Sequence, residues 1–191
     1  MRDNELRGLV GGSQPLMRAL RTVRDSGLPD AWIGAGVLRD LVWDQRYGHG
    51  FDFSQARDID VAFFDPTDLT RANDEHATGR LATMWPGPPW EAKNQAAVHT
   101  WYPARFGSDP VPALRSIADA VATWPEYATA VAIRLDADGH ITVCAPYGLD
   151  QLLDGIWQRN PTRVSQVVSA QRLARQRPAH RWPRARVRVL T

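Results

Sequence analysis

The first part of the chain alternates between helical and extended patterns of apolar residues. Between residues 14 and 26, apolar side chains recur every three or four positions among arginines, which predicts an amphipathic helix. A turn sequence follows, and residues 31–33 then form a short apolar run that leads into two glycines. The next apolar positions fit one face of a second helix and leave Arg39 and Asp40 on the other. The pattern predicts helix, strand, glycine turn and helix in succession.

The middle of the chain repeats this alternation. Residues 58–65 read as a strand that is stopped by Pro66, because proline lacks a backbone donor. A polar helix is predicted over residues 69–84, and a proline-rich break separates it from an extended segment over residues 90–93. Asn94 is a candidate N-cap. It would begin a helix whose apolar face comprises Val98, Trp101 and Tyr102.

The second half of the chain predicts further helices around one β-hairpin. Residues 111–124 are rich in alanine and predict a helix that ends at a Trp-Pro corner. Residues 128–136 and 140–145 predict two strands, joined by an Asp-Ala-Asp-Gly turn of the kind found in hairpins. An amphipathic helix is predicted over residues 149–157. Strands and helices thus mix along one chain, which indicates an α+β fold.

The C-terminal region is strongly basic. Eight arginines and no acidic residue lie between Asn160 and Thr191, whereas the preceding part has 15 basic and 21 acidic side chains. Binding of phosphate or nucleic acid is one interpretation. The alternative is an amphipathic helix and a short strand whose arginines are solvated. Its apolar positions would be Val164, Val167, Val168 and Leu173 in the helix, and Val187, Val189 and Leu190 in the strand.

Chain length and composition predict a single soluble domain. The 191 residues are enough for one domain with its own core. We expect that core over about residues 14–161, with the basic residues 162–191 packing on the same domain. The sequence has neither a signal-peptide pattern nor an apolar run that could span a bilayer, so we expect a cytoplasmic protein without a membrane partner.

Two aspartates at alternate positions are the main candidates for chemistry. Along a strand, Asp58 and Asp60 project from one face and Ile59 from the other. Two neighbouring carboxylates repel each other, and a divalent cation or a basic neighbour would offset the repulsion. Oxygen ligands at this spacing suit Mg²⁺ or Mn²⁺ bridged to substrate phosphates. The same spacing also occurs at exposed strand ends and in calcium loops.

The glycine turn upstream offers a possible phosphate site. Gly34, Ala35 and Gly36 lie where the predicted strand ends and the next helix begins. Glycine allows a phosphate to approach the backbone, and a helix N-terminus presents unpaired N–H groups. A tight turn without a binding role is the alternative. The dinucleotide-binding pattern of three glycines is not met, because Arg39 occupies the third position.

The order of these motifs resembles that of polymerase β-type nucleotidyltransferases, including the tRNA CCA-adding enzymes. The resemblance begins with the glycine turn, the Arg39-Asp40 pair and the Asp58-Ile59-Asp60 strand. More specifically, the chain resembles a bacterial family of nucleotidyltransferase-like proteins. The motifs that carry this likeness are Trp-x-Gly-Ala-Gly at residues 32–36, Trp90-Glu91-x-Lys93-Asn94-Gln95, Trp124-Pro125-Glu126, Ala145-Pro146-x-Gly148-Leu149, Arg159-Asn160-Pro161 and Trp182-Pro183.

The resemblance implies a short mixed β-sheet flanked by helices and a site of three carboxylates that holds two Mg²⁺ or Mn²⁺ ions. Asp58 and Asp60 match the first two carboxylates. Glu91 is the candidate for the third, where the family more often has aspartate; a salt bridge to Lys93 or to an arginine is its alternative. Lys93 is the chain's one lysine beside 22 arginines. It would neutralise the triphosphate, or else be an ordinary surface lysine.

These observations predict a metal-dependent nucleotidyltransferase. It would transfer a nucleoside monophosphate from an NTP to a hydroxyl acceptor and release pyrophosphate, with RNA, protein and small molecules as acceptor classes. The alternative is a catalytically inactive nucleotide- or RNA-binding protein with the same fold. We expect Arg39 to be structural. The sequence does not define the positions of Glu126 and Thr129 relative to the site, the nucleotide, the acceptor or the oligomeric state.

Overall fold

The computed structural model describes residues 1–183 and the backbone of residues 188–190. The helices are α1 (Arg2–Gly11), α2 (Gln14–Asp25), α3 (Gly36–Tyr47), α4 (Arg71–Met84), α5 (Val98–Phe106), α6 (Ile117–Val121), α7 (Asp150–Leu153), α8 (Gln166–Gln176) and α9 (Pro178–Arg181). The strands are β1 (Trp32–Gly34), β2 (Ile59–Phe63), β3 (Trp90–Asn94), β4 (Ala132–Leu135), β5 (Ile141–Cys144), β6 (Ile156–Gln158) and β7 (Arg188–Leu190). Short 3-10 helices cover Phe53–Gln55 and Gln95–Ala97.

The first five strands form one mixed sheet in the order β3-β2-β1-β4-β5. Strands β2 and β3 are parallel, and the other neighbouring pairs are antiparallel. Helices flank this sheet, so the predicted α+β fold with a short mixed sheet is confirmed. The parallel register aligns Asp60 of β2 with Glu91 of β3. Two carboxylate-bearing strands therefore run side by side in the same direction.

Strand β2 separates the main core from the side of the sheet that bears Asp60. Ile59, Val61 and Phe63 are each at most 1% exposed and belong to the main hydrophobic core. Because side chains alternate along a strand, Asp60 and Ala62 face the other way. Ala62 packs there in a smaller apolar cluster that includes Trp32 and Ala132. The alternation predicted for this strand therefore places Asp60 outside the main core.

Several predicted elements are confirmed. Helices α2 and α3 lie where the apolar spacing places them, α4 lies within the predicted polar helix, and β4 and β5 form the predicted antiparallel hairpin. Asn94 caps the 3-10 helix that precedes α5, because its side chain accepts a hydrogen bond from the backbone N–H of Ala96 at 3.1 Å. The predicted strand over residues 58–65 is shorter, and Asp58 directly precedes β2. Similarly, β4 covers the last part of the segment 128–136.

The predicted helix over residues 111–124 is wrong for its first half. Only Ile117–Val121 is helical, and Ser116 caps it by accepting a hydrogen bond from the N–H of Asp119. Residues 107–110 and most of 111–115 are exposed, so no packed face stabilises an early helix turn. The alanine content of residues 111–124 therefore predicted a helix that is longer than α6.

The predicted helix over residues 149–157 is also wrong in part. Helix α7 ends at Leu153, and Gly155 then takes a left-handed conformation with φ of 70°. A Cβ atom at Gly155 would lie 2.6 Å from the ring of Tyr47, so this tight turn requires glycine. The chain turns there and continues as strand β6.

The core extends beyond residues 14–161 at both ends. Leu6 and Val10 of α1 are 0% exposed and join the main hydrophobic cluster, although the apolar pattern did not lead us to predict this helix. Trp182, which follows α9, is also fully buried in that cluster. In the described part of the chain, no helix is long and apolar enough to cross a membrane.

The basic C-terminal region forms α8, α9 and β7. Helix α8 confirms the predicted amphipathic helix, and β7 pairs in parallel with β6 to form a second, two-stranded sheet. The strand predicted around residues 187–190 is thus described for residues 188–190, and Val187 lies outside the described residues.

Candidate active site

A cavity of about 300 Å³ lies on the side of the main sheet that bears Asp60. Its walls come from the N-terminus of α3, strands β2 and β3, the Trp124-Pro125 corner and helix α8. The lining residues include Ala35, Gly36, Arg39, Asp40, Asp58, Asp60, Glu91, Lys93, Thr129, Arg172 and Arg175. The fold thus brings residues from five separate segments to one place.

The three predicted carboxylates all line this cavity. Asp60 and Glu91 are register partners on β2 and β3, and Asp58 lies two positions before Asp60. Asp58 and Asp60 are partly buried, whereas the Glu91 side chain is 48% exposed. We call Asp58, Asp60 and Glu91 the carboxylate cluster.

Burial and nearby negative charges raise the pKa values of Asp58 and Asp60. Burial, followed by the negative charges of Asp58 and Glu91, raises the pKa of Asp60 to about 7. Burial also raises the pKa of Asp58, with smaller contributions from Glu91 and Asp40. Each raised pKa means that the ionised carboxylate is less stable in the cavity than in water. A bound cation would remove much of that instability.

The carboxylate cluster suits a metal that a substrate helps to bind. In the described part of the chain, no group of three or more His, Cys, Asp or Glu side chains has the arrangement of a preformed metal site. Mg²⁺ is commonly held by one or two carboxylates, water and substrate phosphates rather than by a cage made entirely of protein. Asp58 and Asp60, both oxygen donors on one side of a strand, fit that chemistry.

The glycine turn supports the cavity in two ways. Ala35 and Gly36 line it at the N-terminus of α3, where backbone N–H groups are not used within the helix. Gly34 instead lies behind the cavity wall. A Cβ atom at Gly34 would approach the Trp124 ring to 2.5 Å and the Val131 carbonyl oxygen to 2.9 Å. Glycine is therefore needed there for close packing.

Ala35 adopts a strained backbone conformation between β1 and α3. Its φ of 57° and ψ of −122° are unusual for a residue with a Cβ atom. Its N–H donates to the carbonyl oxygen of Val131 at 3.1 Å, which ties the turn to the segment before β4. The strained turn aims the start of α3 at the carboxylate cluster. A Cβ atom at Gly36 would lie 3.7 Å from Asp58 Oδ1.

Lys93 lies between two carboxylates at the edge of the cavity. Its Nζ is 3.8 Å from Glu91 Oε1 and 3.7 Å from Asp74 Oδ2, and its side chain is 39% exposed. Glu91 therefore both lines the cavity and forms the ion pair that was its alternative interpretation. Contacts of this length are loose, so Lys93 remains able to turn toward a phosphate in the cavity.

Two arginines of the basic C-terminal region line the cavity. Arg172 donates from Nε and Nη2 to the two carboxylate oxygens of Glu126, at 2.6 and 3.0 Å. Glu126 is 1% exposed and also accepts a hydrogen bond from Thr129 Oγ1 at 3.0 Å. Burial raises the pKa values of Asp58 and Asp60, and the positive charges of Arg175 near Asp58 and Arg172 near Asp60 offset part of that rise. Both side chains thus belong to the site.

The sequence was compatible with two roles for these arginines: binding of nucleic acid, or a position on a solvated helix face. Their spacing of three residues in a helix predicts that Arg172 and Arg175 share a side, but it does not indicate which surface they meet. Glu126 and Thr129, left unplaced by the sequence, hold Arg172 in position.

Arg39 and Asp40 form a buried ion pair within α3. Arg39 is 3% exposed and donates to Asp40 Oδ1 from Nε and Nη2, at 2.9 and 2.7 Å. Asp40 Oδ2 accepts a further hydrogen bond from Arg181 Nη1 at 2.8 Å. The C-terminal region covers this side of α3, because Arg181 and Trp182 pack against the pair. The charge of Arg39 also offsets part of the rise that burial causes in the pKa values of Asp58 and Asp60.

Comparison with known proteins yields relatives that share this architecture. A solved structure described as a CCA-adding enzyme head domain has 27% identity and a TM-score of 0.79, with 98% of this chain and 95% of that chain covered. A CCA-adding enzyme in complex with CTP has 15% identity and a TM-score of 0.58, with 98% and 43% covered. The Thermotoga maritima CCA-adding enzyme complexed with tRNA has 14% identity and a TM-score of 0.55, with 92% and 38% covered.

The solved structures and the family match support different conclusions about this chain. The chain spans less than half the length of the two enzymes in complexes, and at their low identity the likeness concerns the fold. No curated protein matches the chain. Residues 21–187, however, match a family described as nucleotidyltransferase, and that stretch includes the glycine turn, the carboxylate cluster and α8. The chain therefore belongs to this nucleotidyltransferase family.

Proposed function

We propose that the protein transfers a nucleoside monophosphate from an NTP to a hydroxyl acceptor in a reaction that requires Mg²⁺ or Mn²⁺. The observation that carries this proposal is the carboxylate cluster, in which Asp60 is aligned with Glu91 and has a pKa raised to about 7. Carboxylates held together at such a cost are typical of functional sites. Membership of a nucleotidyltransferase family supports the same chemistry.

Asp58 and Asp60 would hold the metal together with the triphosphate. The bound metal would neutralise charge on the phosphate oxygens and orient the α-phosphate for in-line attack. The acceptor oxygen forms a bond to the α-phosphorus, the bond from that phosphorus to the bridging oxygen breaks, and pyrophosphate leaves. Glu91, whose side chain is 48% exposed, would take the proton of the attacking hydroxyl.

The cationic groups around the carboxylate cluster would bind the rest of the triphosphate. Lys93 and Arg175 line the cavity, and Arg172 is held there by Glu126. Two of the three N atoms of the Arg172 guanidinium donate to Glu126, which leaves Nη1 to bind a phosphate oxygen. Ala35 and Gly36 add the N-terminus of α3. Cations would thus face the triphosphate from more than one side.

The comparisons favour an NTP as the donor. One structurally similar enzyme was solved with CTP and another with tRNA. Both are longer than this chain, so their acceptors do not transfer directly to it. RNA, protein and small molecules remain the acceptor classes to be distinguished by experiment.

The test is incubation of the full-length protein with each α-³²P-labelled NTP, Mg²⁺ or Mn²⁺ and a cell extract, with separation of labelled RNA, protein and small molecules. The Asp58→Asn/Asp60→Asn double variant should lose at least about 100-fold of the incorporated label, because metal and phosphate binding contribute several kcal/mol to such reactions. Asp3→Asn, at an exposed position of α1, is the matched control and should behave as wild type.

Label that enters one class of molecule only with intact Asp58 and Asp60 would establish the transfer and identify the acceptor class. Equal incorporation by the double variant would refute the assignment. Metal-dependent NTP binding without incorporation in any fraction would instead favour the inactive nucleotide- or RNA-binding protein.

A further inference from the structure

A second cavity adjoins the one that is lined by the carboxylate cluster, which we call the carboxylate cavity. It measures about 600 Å³ and lies among α5, the Trp124-Pro125 corner and the start of α8. The residues common to both cavities are Lys93, Gln95, Trp124, Pro125 and Arg172. A molecule in the second cavity would therefore reach the same wall that borders the triphosphate site. A volume of this size suits a small organic ligand.

Aromatic side chains of α5 form one wall of the second cavity. The ring centroids of Trp101 and Tyr102 are 6.1 Å apart, and those of Tyr102 and Phe106 are 4.6 Å apart. Phe106 is 48% exposed, although burial of a phenylalanine side chain would normally stabilise the fold. Val98, Val164 and Val168 extend this apolar wall. The surface suits a planar, apolar body.

The polar groups of the second cavity favour an anion. Lys93, Arg163 and Arg172 line it, and Asp109 is the one acidic residue among the described lining residues. Arg163 Nη2 donates to the carbonyl oxygen of Pro112 at 3.1 Å, but its buried Nη1 has no hydrogen-bond partner in the described structure. Burial lowers the pKa of Arg163, so its charge lacks full compensation. An acidic ligand group would provide it.

We propose that the second cavity binds the acceptor, and that the acceptor is a small planar organic acid that carries a hydroxyl group. Its ring lies against Trp101, Tyr102 and Phe106, and its acidic group lies toward Arg163. Arg163 lines only the second cavity, so the opposite end of such a molecule extends toward the wall shared with the carboxylate cavity. The hydroxyl group at that end then meets the α-phosphate. The acceptor role rests on the transferase function proposed above, whereas binding does not.

Three probes of matched shape test the charge preference: 4-hydroxyphenylacetate, the neutral 2-(4-hydroxyphenyl)ethanol and the cationic tyramine. Titration calorimetry with the full-length protein should show tightest binding of the acid and weakest binding of the amine. Arg163→Gln should weaken binding of the acid about 10- to 100-fold, in line with loss of a hydrogen bond to a charged group, and abolish its preference over the alcohol. Arg21→Gln, at an exposed position of α2, is the control and should change nothing.

A second variant tests the contribution of the apolar wall to binding separately from that of the Arg163 charge. Phe106→Ala removes an exposed ring and should leave the fold intact, yet weaken all three probes by a similar factor. Absence of binding for every probe at millimolar concentration would overturn the proposal. Equal binding of acid and amine, or binding of the acid unaffected by both variants, would also overturn it.

A separate experiment tests whether the ligand of the second cavity is the acceptor. The Asp58→Asn/Asp60→Asn variant should bind 4-hydroxyphenylacetate at least as tightly as wild type, because the carboxylate cluster lies outside the second cavity and the change removes negative charge. With a labelled NTP and Mg²⁺, wild type should label the small-molecule fraction of an extract, and Arg163→Gln should reduce this labelling. Binding of the acid without any transfer would overturn the acceptor role and count against the transferase function. Transfer to RNA or protein alone would overturn the acceptor assignment while the transferase function stands.

Discussion

Asp60 lines the candidate active site in an environment that disfavours its negative charge. Asp60 is partly buried, lines the cavity, is the register partner of Glu91 and lies two residues from Asp58. Burial and these two charges raise its pKa to about 7, compared with 3.8 for an ordinary aspartate. The folded protein thus binds this proton more tightly than the unfolded chain does. The Asp60 contribution to stability is complete below about pH 4 and is lost as the pH rises through 7.

Asp60→Asn should therefore stabilise the metal-free protein at neutral and alkaline pH. Asparagine keeps the size of the side chain but carries no charge, so the cost of ionising Asp60 disappears. The gain in the free energy of unfolding should be roughly 2–4 kcal/mol at pH 8 and small near pH 4. Urea denaturation in the presence of EDTA across this pH range measures it.

An exposed aspartate provides the control for this experiment. Asp3→Asn should give a nearly constant difference in stability from pH 4 to pH 8, because Asp3 lies at an exposed position of α1. A destabilised Asp60→Asn protein at pH 8 would contradict the assignment of Asp60 as a strained carboxylate.

At the residue scale, local rules predicted the acidic residues better than the basic ones. Strand alternation is local, so the shared direction of Asp58 and Asp60 followed from their spacing. The contact between Arg172 and Glu126 joins residues 46 positions apart, and no local pattern encodes it. The burial of Arg39 was missed for the same reason: the residues that cover it belong to the C-terminal region and are distant in sequence.

At the element scale, the β1–α3 junction links the two cavities. Gly34 ends β1 and packs under the Trp124 ring, and Trp124 lines both cavities. The next residue, Ala35, holds the positive φ angle that starts α3. The packing of one small residue therefore determines where a shared wall lies.

Gly34→Ala should disturb both the fold and the site. The added methyl group would lie 2.5 Å from two carbon atoms of Trp124 and 2.9 Å from a backbone oxygen that cannot move easily. We expect a loss of about 1–3 kcal/mol in the free energy of unfolding, together with weaker NTP binding. Chemical denaturation and nucleotide titration measure the two effects.

Gly79→Ala is the matched control, because nothing lies within 4 Å of the added Cβ atom and the residue is inside α4. It should stabilise the protein by about 0.5–1 kcal/mol. If Gly34→Ala were equally stabilising, the close packing against Trp124 would not exist in solution.

Element boundaries also show where sequence patterns are insufficient. Glycine placed the end of α2 well, because its effect on the backbone is local. The shortened α6 and the switch from α7 to β6 depend on neighbours distant in sequence. For example, Gly155 turns tightly against Tyr47, and β6 has β7 as its partner.

At the scale of the whole molecule, the C-terminal region completes the site. Trp182 packs edge-on against Trp43, with ring centroids 4.8 Å apart, and its Nε1 donates to Asp44 Oδ1. Arg181 binds Asp40 and Asp44 at 2.8 and 3.1 Å. The region that supplies Arg172 and Arg175 to the cavity is therefore anchored to α3 of the core. Its basic composition reflects these anchoring and lining roles in part.

Trp182→Ala should therefore affect stability and nucleotide binding together. Removal of a fully buried indole leaves a cavity, and the free energy of unfolding should fall by about 3–5 kcal/mol. Since Trp182 follows α8 and α9, NTP binding should weaken at temperatures where the protein is still folded. Thermal unfolding and nucleotide titration measure this, with Val167→Ala on the exposed side of α8 as the control. Unchanged NTP affinity in a folded Trp182→Ala protein would show that α8 keeps its position without this anchor.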